Sequence, residues 1–183
     1  LNTANVPREE ITVYETDFEA GFTTGNQYDQ PEKEYGPKDK EWAFYYGTPS
    51  TTDAIEGENS AQMRWYTKSS SNLGYARTMF KVSDVSSILF NASSTNGLNI
   101  SVSYSVDGTT WINSKTVELT NSSKEYSYNV STKEAVYVKF QVSLPSTNPT
   151  STSRVYLDQV RFNTTKEAVG QVYGVTFNND DTS

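Results

Sequence analysis

Residues 98–111, Leu-Asn-Ile-Ser-Val-Ser-Tyr-Ser-Val-Asp-Gly-Thr-Thr-Trp, constrain the fold of this chain more than any other stretch. Leu98, Ile100, Val102, Tyr104 and Val106 alternate with Asn99, Ser101, Ser103 and Ser105. A period of two sends successive side chains to opposite faces, so the segment predicts a strand with one buried face. Asp107-Gly108 predicts a tight hairpin turn with positive backbone angles, and Trp111 opens the return strand. The outward residues are almost all serines. They make either a smooth floor on which something else lies or an ordinary solvated surface.

The rest of the chain repeats this pattern. No helical period persists for three turns. Strands are expected near 11–16, 41–47, 60–67, 74–82, 86–91, 98–106, 110–119, 124–130, 135–143 and 154–163, with a further one near 170–177. Gly, Pro, Asn and Ser separate them, which predicts an all-β chain folded as an antiparallel β-sandwich. Hydrophobic residues make up only 34% of the 183 residues, but 13 Tyr, 8 Phe and 3 Trp can fill a core with rings instead. We divide the chain into a leader at 1–10, the sandwich at 11–165, and an extra strand or linker at 166–183. Residues 23–40 and 146–153 are polar and read as long loops.

Composition excludes several chemistries. The chain has no Cys and no His, which removes thiol nucleophiles, disulfides, Ser-His-Asp triads and ordinary zinc sites. A net charge of −7 makes nucleic acid a poor partner, since phosphate contacts need a basic stripe. No window approaches the length of apolar sequence that spans a membrane. Leu1 reads as the start of a processed form or an excised fragment, and no signal peptide is visible. Asn91, Asn99, Asn121, Asn129 and Asn163 begin Asn-x-Ser/Thr sequons, which a chain rich in these residues also produces by chance. Glu32, Glu34, Asp39, Asp53, Glu56 and Glu58 lie in loops, but no spacing selects a hydrolytic pair from them, so an enzyme is not expected.

Three segments carry a resemblance. They are Asp17-Phe18-Glu19-Ala20-Gly21-Phe22, Tyr104-Ser105-Val106-Asp107-Gly108-Thr109-Thr110-Trp111, and Arg154-Val155-Tyr156-Leu157-Asp158-Gln159-Val160-Arg161-Phe162. In this order they resemble jelly-roll β-sandwich modules of secreted bacterial proteins, several families of which bind carbohydrate. The resemblance implies a noncatalytic, monomeric module within a larger secreted or cell-surface protein, with a polysaccharide as partner. It also implies a structural calcium (Ca²⁺) held by Asp17, Glu19 and Asp158, with Glu15 as a weaker candidate. Mixed carboxylate and carbonyl oxygens at a chain crossing suit that ion. Without an ion, Asp158 would pair with Arg161, Arg154 or a backbone turn.

Strand parity nominates a ligand face. Val136, Val138, Phe140 and Val142 point one way, Tyr137, Lys139, Gln141 and Ser143 the other. Met63 and Trp65 alternate with Gln62, Arg64 and Tyr66, and Tyr75 and Arg77 oppose Phe80 and Val82. Rings that stack on a pyranose, with planar donors for its hydroxyls, suit a sugar. The same residues also suit the solvated side of any antiparallel sheet. The candidate ligand residues are Arg64, Tyr66, Tyr75, Tyr137 and Gln141, with Tyr45 and Trp42 as rivals.

Overall fold

The computed structural model describes residues 7–26, 31–65, 69, 71–150 and 153–167. The strand expected at 170–177 lies outside the described residues. Among the described residues twelve strands follow one another: β1 (Arg8–Thr16), β2 (Lys33–Tyr35), β3 (Trp42–Tyr45), β4 (Gly47–Ser50), β5 (Ser60–Arg64) and β6 (Tyr75–Thr78), then β7 (Ser87–Thr95), β8 (Asn99–Ser105), β9 (Ile112–Glu118), β10 (Lys124–Asn129), β11 (Tyr137–Ser143) and β12 (Arg154–Glu167). They form two antiparallel sheets packed as a jelly-roll sandwich. Sheet A runs β10-β7-β12-β5-β4, with β1 also on β12, and sheet B runs β2-β3-β6-β11-β8-β9. The chain passes back and forth between the sheets, so neither can form alone.

The expected alternation holds through β11 and the first half of β8, but Ser103 and Ser105, expected to face outward, are buried as well. Ile100, Val102, Val138 and Phe140 are fully buried between the sheets. The turn after β8 differs in detail. Only Gly108 takes a positive φ there, at 82°. Asp107 instead turns its carboxylate onto the Thr109 and Thr110 amides, each donating at 2.9 Å, and the connection runs from Val106 to Trp111. An aspartate accepting from its own downstream amides makes the turn without a left-handed angle of its own.

The expected strand at 41–47 is two strands in different sheets. β3 lies in sheet B and β4 in sheet A, and Tyr46, at φ 43°, turns the chain between them. A run of rings hides such a break, because nothing in its hydrophobicity marks the turn. β2 lies within the loop expected at 23–40 and pairs with β3 from Lys33↔Phe44 to Tyr35↔Trp42. β1 begins at Arg8, which pairs with Glu167 at the far end of β12, so pairing continues beyond both expected strand limits.

Rings fill the core, as composition suggested. Trp42 stacks on Phe140 at 6.1 Å and meets Phe18 edge-on at 5.2 Å, while its indole N–H donates to Tyr14 Oη at 2.9 Å. Each such ring pair adds about 0.5–1.5 kcal/mol beyond burial alone.

Two seams hold the layers together. At one corner the Arg64 amide donates to Tyr46 O at 2.9 Å, the Gly74 amide to Arg64 O at 2.8 Å, and the Val142 amide to Gly74 O at 2.8 Å. This backbone chain runs from sheet A into sheet B. It needs glycine at 74, because a Cβ there would sit 2.6 Å from Tyr46 O and 2.8 Å from Arg64 O. At the opposite side the edge strands β9 and β10 face each other. Tyr128 Oη donates to Asn113 O at 2.7 Å, Tyr126 Oη to Glu118 O at 3.5 Å, and Lys115 Nζ to Ser127 O at 3.2 Å.

Candidate functional site

The outer face of sheet B gathers the chain's polar rings. Cross-strand register places Tyr45 beside Tyr75, Tyr75 beside Gln141, and Gln141 beside Ser101. One row over, Ala43, Arg77, Lys139 and Ser103 stand in line, and Tyr137 pairs with Ser105 beyond them. All of these share the parity opposite to Phe44, Ala76, Phe140 and Val102, which are buried in the core.

The Tyr45 and Tyr75 rings stack at 5.3 Å and 27°. Glu32 ties this row to the next. Its carboxylate accepts from Arg77 Nε at 2.6 Å and Nη2 at 2.7 Å, and also from the Tyr75 hydroxyl. Arg77 therefore holds the Glu32 carboxyl below its ordinary range. The Tyr75 hydroxyl is pushed up, by burial first and then by donating to Glu32. It stays a neutral donor at any ordinary pH. The Lys139 ammonium lies 4.5 Å from the Trp111 ring centre and 5.4 Å from that of Tyr75. Burial and then the neighbouring Arg77 charge lower its pKa. Lys81 sits 5.5 Å from the centre of Tyr137, and Gln141 Nε2 donates to Leu73 O at 3.4 Å. The arrangement offers half-buried rings edged by fixed donors along the sheet, beside Ala43, Ser103 and Ser105, which are buried. Clefts of about 490 Å³ beside Asp17 and Gln159, and about 510 Å³ beside Arg8 and Thr165, flank sheet A instead.

Four of the expected ligand residues, Tyr45, Tyr75, Tyr137 and Gln141, meet on this face. Two do not. Trp42 has no exposed surface and serves the core, because its strand turns Tyr45 outward and Trp42 inward. Arg64 belongs to sheet A, opposite Arg154, and is 5% exposed. Parity correctly sent Arg64 away from Met63, but β5 is an interior strand whose other face is buried too. Gln62 is 1% and Tyr156 2% exposed, and Asp53 from the β4–β5 connection accepts from Tyr156 Oη at 3.2 Å. Tyr66 lies outside the described residues. Arg77 and Lys139 were legible in the same parity as Tyr75 and Gln141. Glu32 was not, because nothing in a polar loop shows which strand it will reach, and Trp111 lies beside Lys139 through the long turn after β8.

Asp17, Glu19 and Asp158 come to one end of the sandwich. Asp158 is fully buried at the bulge of β12, where Gln159 takes φ 48°. It pairs with neither Arg161 nor Arg154. Ser60 Oγ donates to it at 2.8 Å, the Gln159 amide at 2.8 Å and the Glu56 amide at 3.2 Å. These donors are neutral, and burial, with a further push from the Asp17 charge, drives the Asp158 carboxyl up to about 6. Glu19 Oε1 accepts from the Glu58 and Asn59 amides at 2.7 and 2.9 Å. Among the described residues no group of three His, Cys, Asp or Glu side chains is arranged to hold an ion.

No family model and no curated protein matches the chain. Solved structures do. The N-terminal cellulose-binding domain of Cellulomonas fimi β-1,4-glucanase C is 11% identical, with a TM-score of 0.47 over 82% of this chain and 99% of that one. TmCBM61, solved with β-1,4-galactotriose, is 16% identical with a TM-score of 0.44, covering 69% and 88%. A family 29 carbohydrate-binding module variant complexed with mannohexaose is 10% identical with a TM-score of 0.42, covering 87% and 94%. The likeness is one of β-sandwich fold, and no residue assignment is taken from it.

Proposed function

We propose that this chain is a noncatalytic carbohydrate-binding module of a secreted or cell-surface bacterial protein, which seats a polysaccharide on the outer face of sheet B. The observation that carries the reading is the stacked Tyr45–Tyr75 pair with Arg77, Lys139 and Gln141 fixed beside it. Ring faces take the apolar side of a pyranose, and the fixed donors take its hydroxyls. Affinity electrophoresis against a panel of neutral and acidic polysaccharides tests it. Tyr75→Ala should weaken retention by on the order of 1–3 kcal/mol, and Tyr137→Ala should weaken it as well. Both should leave the melting temperature within a few degrees of the parent. Retention equal to the parent in both variants refutes the face as the site.

We propose in addition that calcium binds at the buried end, with Asp17, Glu19 and Asp158 as its carboxylate ligands. What supports this is a buried carboxylate whose hydrogen-bond donors are all neutral and which feels the charge of another acid, Asp17. A hard cation would supply the missing opposite charge.

A further inference from the structure

The inference rests on the glycan reading of the sheet B face and narrows it. We propose that the ligand is an acidic polysaccharide, whose anionic substituent, a carboxylate or a sulfate ester, pairs with Lys139 while the sugar ring lies on Tyr45 and Tyr75.

Arg77 and Lys139 are direct cross-strand partners on β6 and β11. Like charges in that position repel. Among the described residues one carboxylate reaches the pair, and it is committed to the arginine side: Glu32 accepts two guanidinium N–H bonds from Arg77 and the Tyr75 hydroxyl as well. Glu34, the other acid of the row, stands three strands away on β2, roughly 14 Å by strand spacing. Among the described residues Lys139 has no ion pair. Its ammonium is held instead between Trp111 and Tyr75. Lys81, which has no ion pair among the described residues, adds a second cation over Tyr137.

This cationic centre stands in a chain where 22 acidic residues outnumber 15 basic ones. Carboxylates to neutralise it are abundant, yet among the described residues only Glu32 reaches it, with its oxygens taken by Arg77 and Tyr75. A neutral sugar would be served by Ser101 and Gln141. It gives no reason for a half-buried ammonium packed against rings beside an arginine. An anion on the sugar does, because it completes the charge balance that Glu32 leaves half done.

Two matched ligand pairs test this by calorimetry, in chelator. The first is homogalacturonan, de-esterified against fully methyl-esterified. The second is a galactan, sulfated against unsulfated. Each pair shares its backbone and differs in charge, and comparing the pairs distinguishes carboxylate from sulfate. We expect at least one charged member to bind about tenfold more tightly than its neutral counterpart. That preference should shrink on raising salt from about 50 to about 500 mM. It should fall severalfold in Lys139→Gln, persist in Lys139→Arg, and be unchanged in Lys124→Gln on the opposite sheet. Equal binding of charged and neutral members, or tighter binding of the neutral ones, overturns the inference and leaves the glycan reading standing. A preference for charge that survives Lys139→Gln overturns the assignment to Lys139. Binding of none of these ligands, nor of the wider panel, overturns both readings.

Discussion

Asp158 shows how one residue sets a testable dependence on pH. Its folded pKa of about 6 lies above the ordinary carboxylate value of 3.8. The protonated form is therefore favoured by folding, and the stability it contributes is complete below the unfolded value and is lost as pH rises through about 6. Between about pH 5 and pH 7 the loss should be on the order of 1 kcal/mol. Glu32 has the opposite sign, since Arg77 lowers its pKa: its stabilisation is present above the unfolded value of 4.5 and is lost as pH falls below it. It therefore does not mask Asp158 in the higher window. In chelator, thermal melts at pH 5 should lie above those at pH 7, and Asp158→Asn should flatten the difference. If calcium binds there, adding it at pH 7 should raise the melting temperature and remove the slope. A melting temperature indifferent to both calcium and chelator removes the metal and leaves Asp158 as a hydrogen-bonded buried acid.

The strands show where sequence patterning carries information and where it stops. In β11 the alternation of Val138, Phe140 and Val142 with Tyr137, Lys139 and Gln141 gives both the core and the proposed ligand face, because the strand is buried on one side only. In β5 the same parity misassigns Arg64, because both faces are covered. Period two separates the faces of a strand, but it does not say which face meets water; that depends on loops and neighbours far away in the chain. The Tyr46 turn was hidden for a related reason, since a residue that carries the chain between sheets is as aromatic as those around it. The Gly74 seam was equally unreadable, because its need for glycine arises from Tyr46 and Arg64 across the corner. Gly74→Ala should force those backbones apart and cost about 2–4 kcal/mol, within the range of severe packing defects. Denaturant melts measure this, and a change below about 1 kcal/mol would mean the corner yields freely.

As a whole, the molecule manages its open edges with side chains. β9 and β10 end their sheets, and unpaired edge carbonyls invite another chain to pair with them. The Tyr126 and Tyr128 hydroxyls and Lys115 occupy three such carbonyls across the gap between the sheets. The chain should therefore sediment as a monomer. The double variant Tyr126→Phe and Tyr128→Phe should self-associate as concentration rises, and if it stays monomeric throughout, the hydroxyls do not guard the edge. The other seam bears on recognition. Tyr75 follows Gly74 directly, so the ring at the centre of the proposed platform hangs from backbone held by both sheets at once. Its partner ring, Tyr45, precedes the Tyr46 turn bonded into the same corner. The two rings are thus set before any ligand arrives, and association need sacrifice little of their conformational freedom. The same preparation makes the platform intolerant: a glycan whose linkage bends the wrong way finds no ring free to follow it.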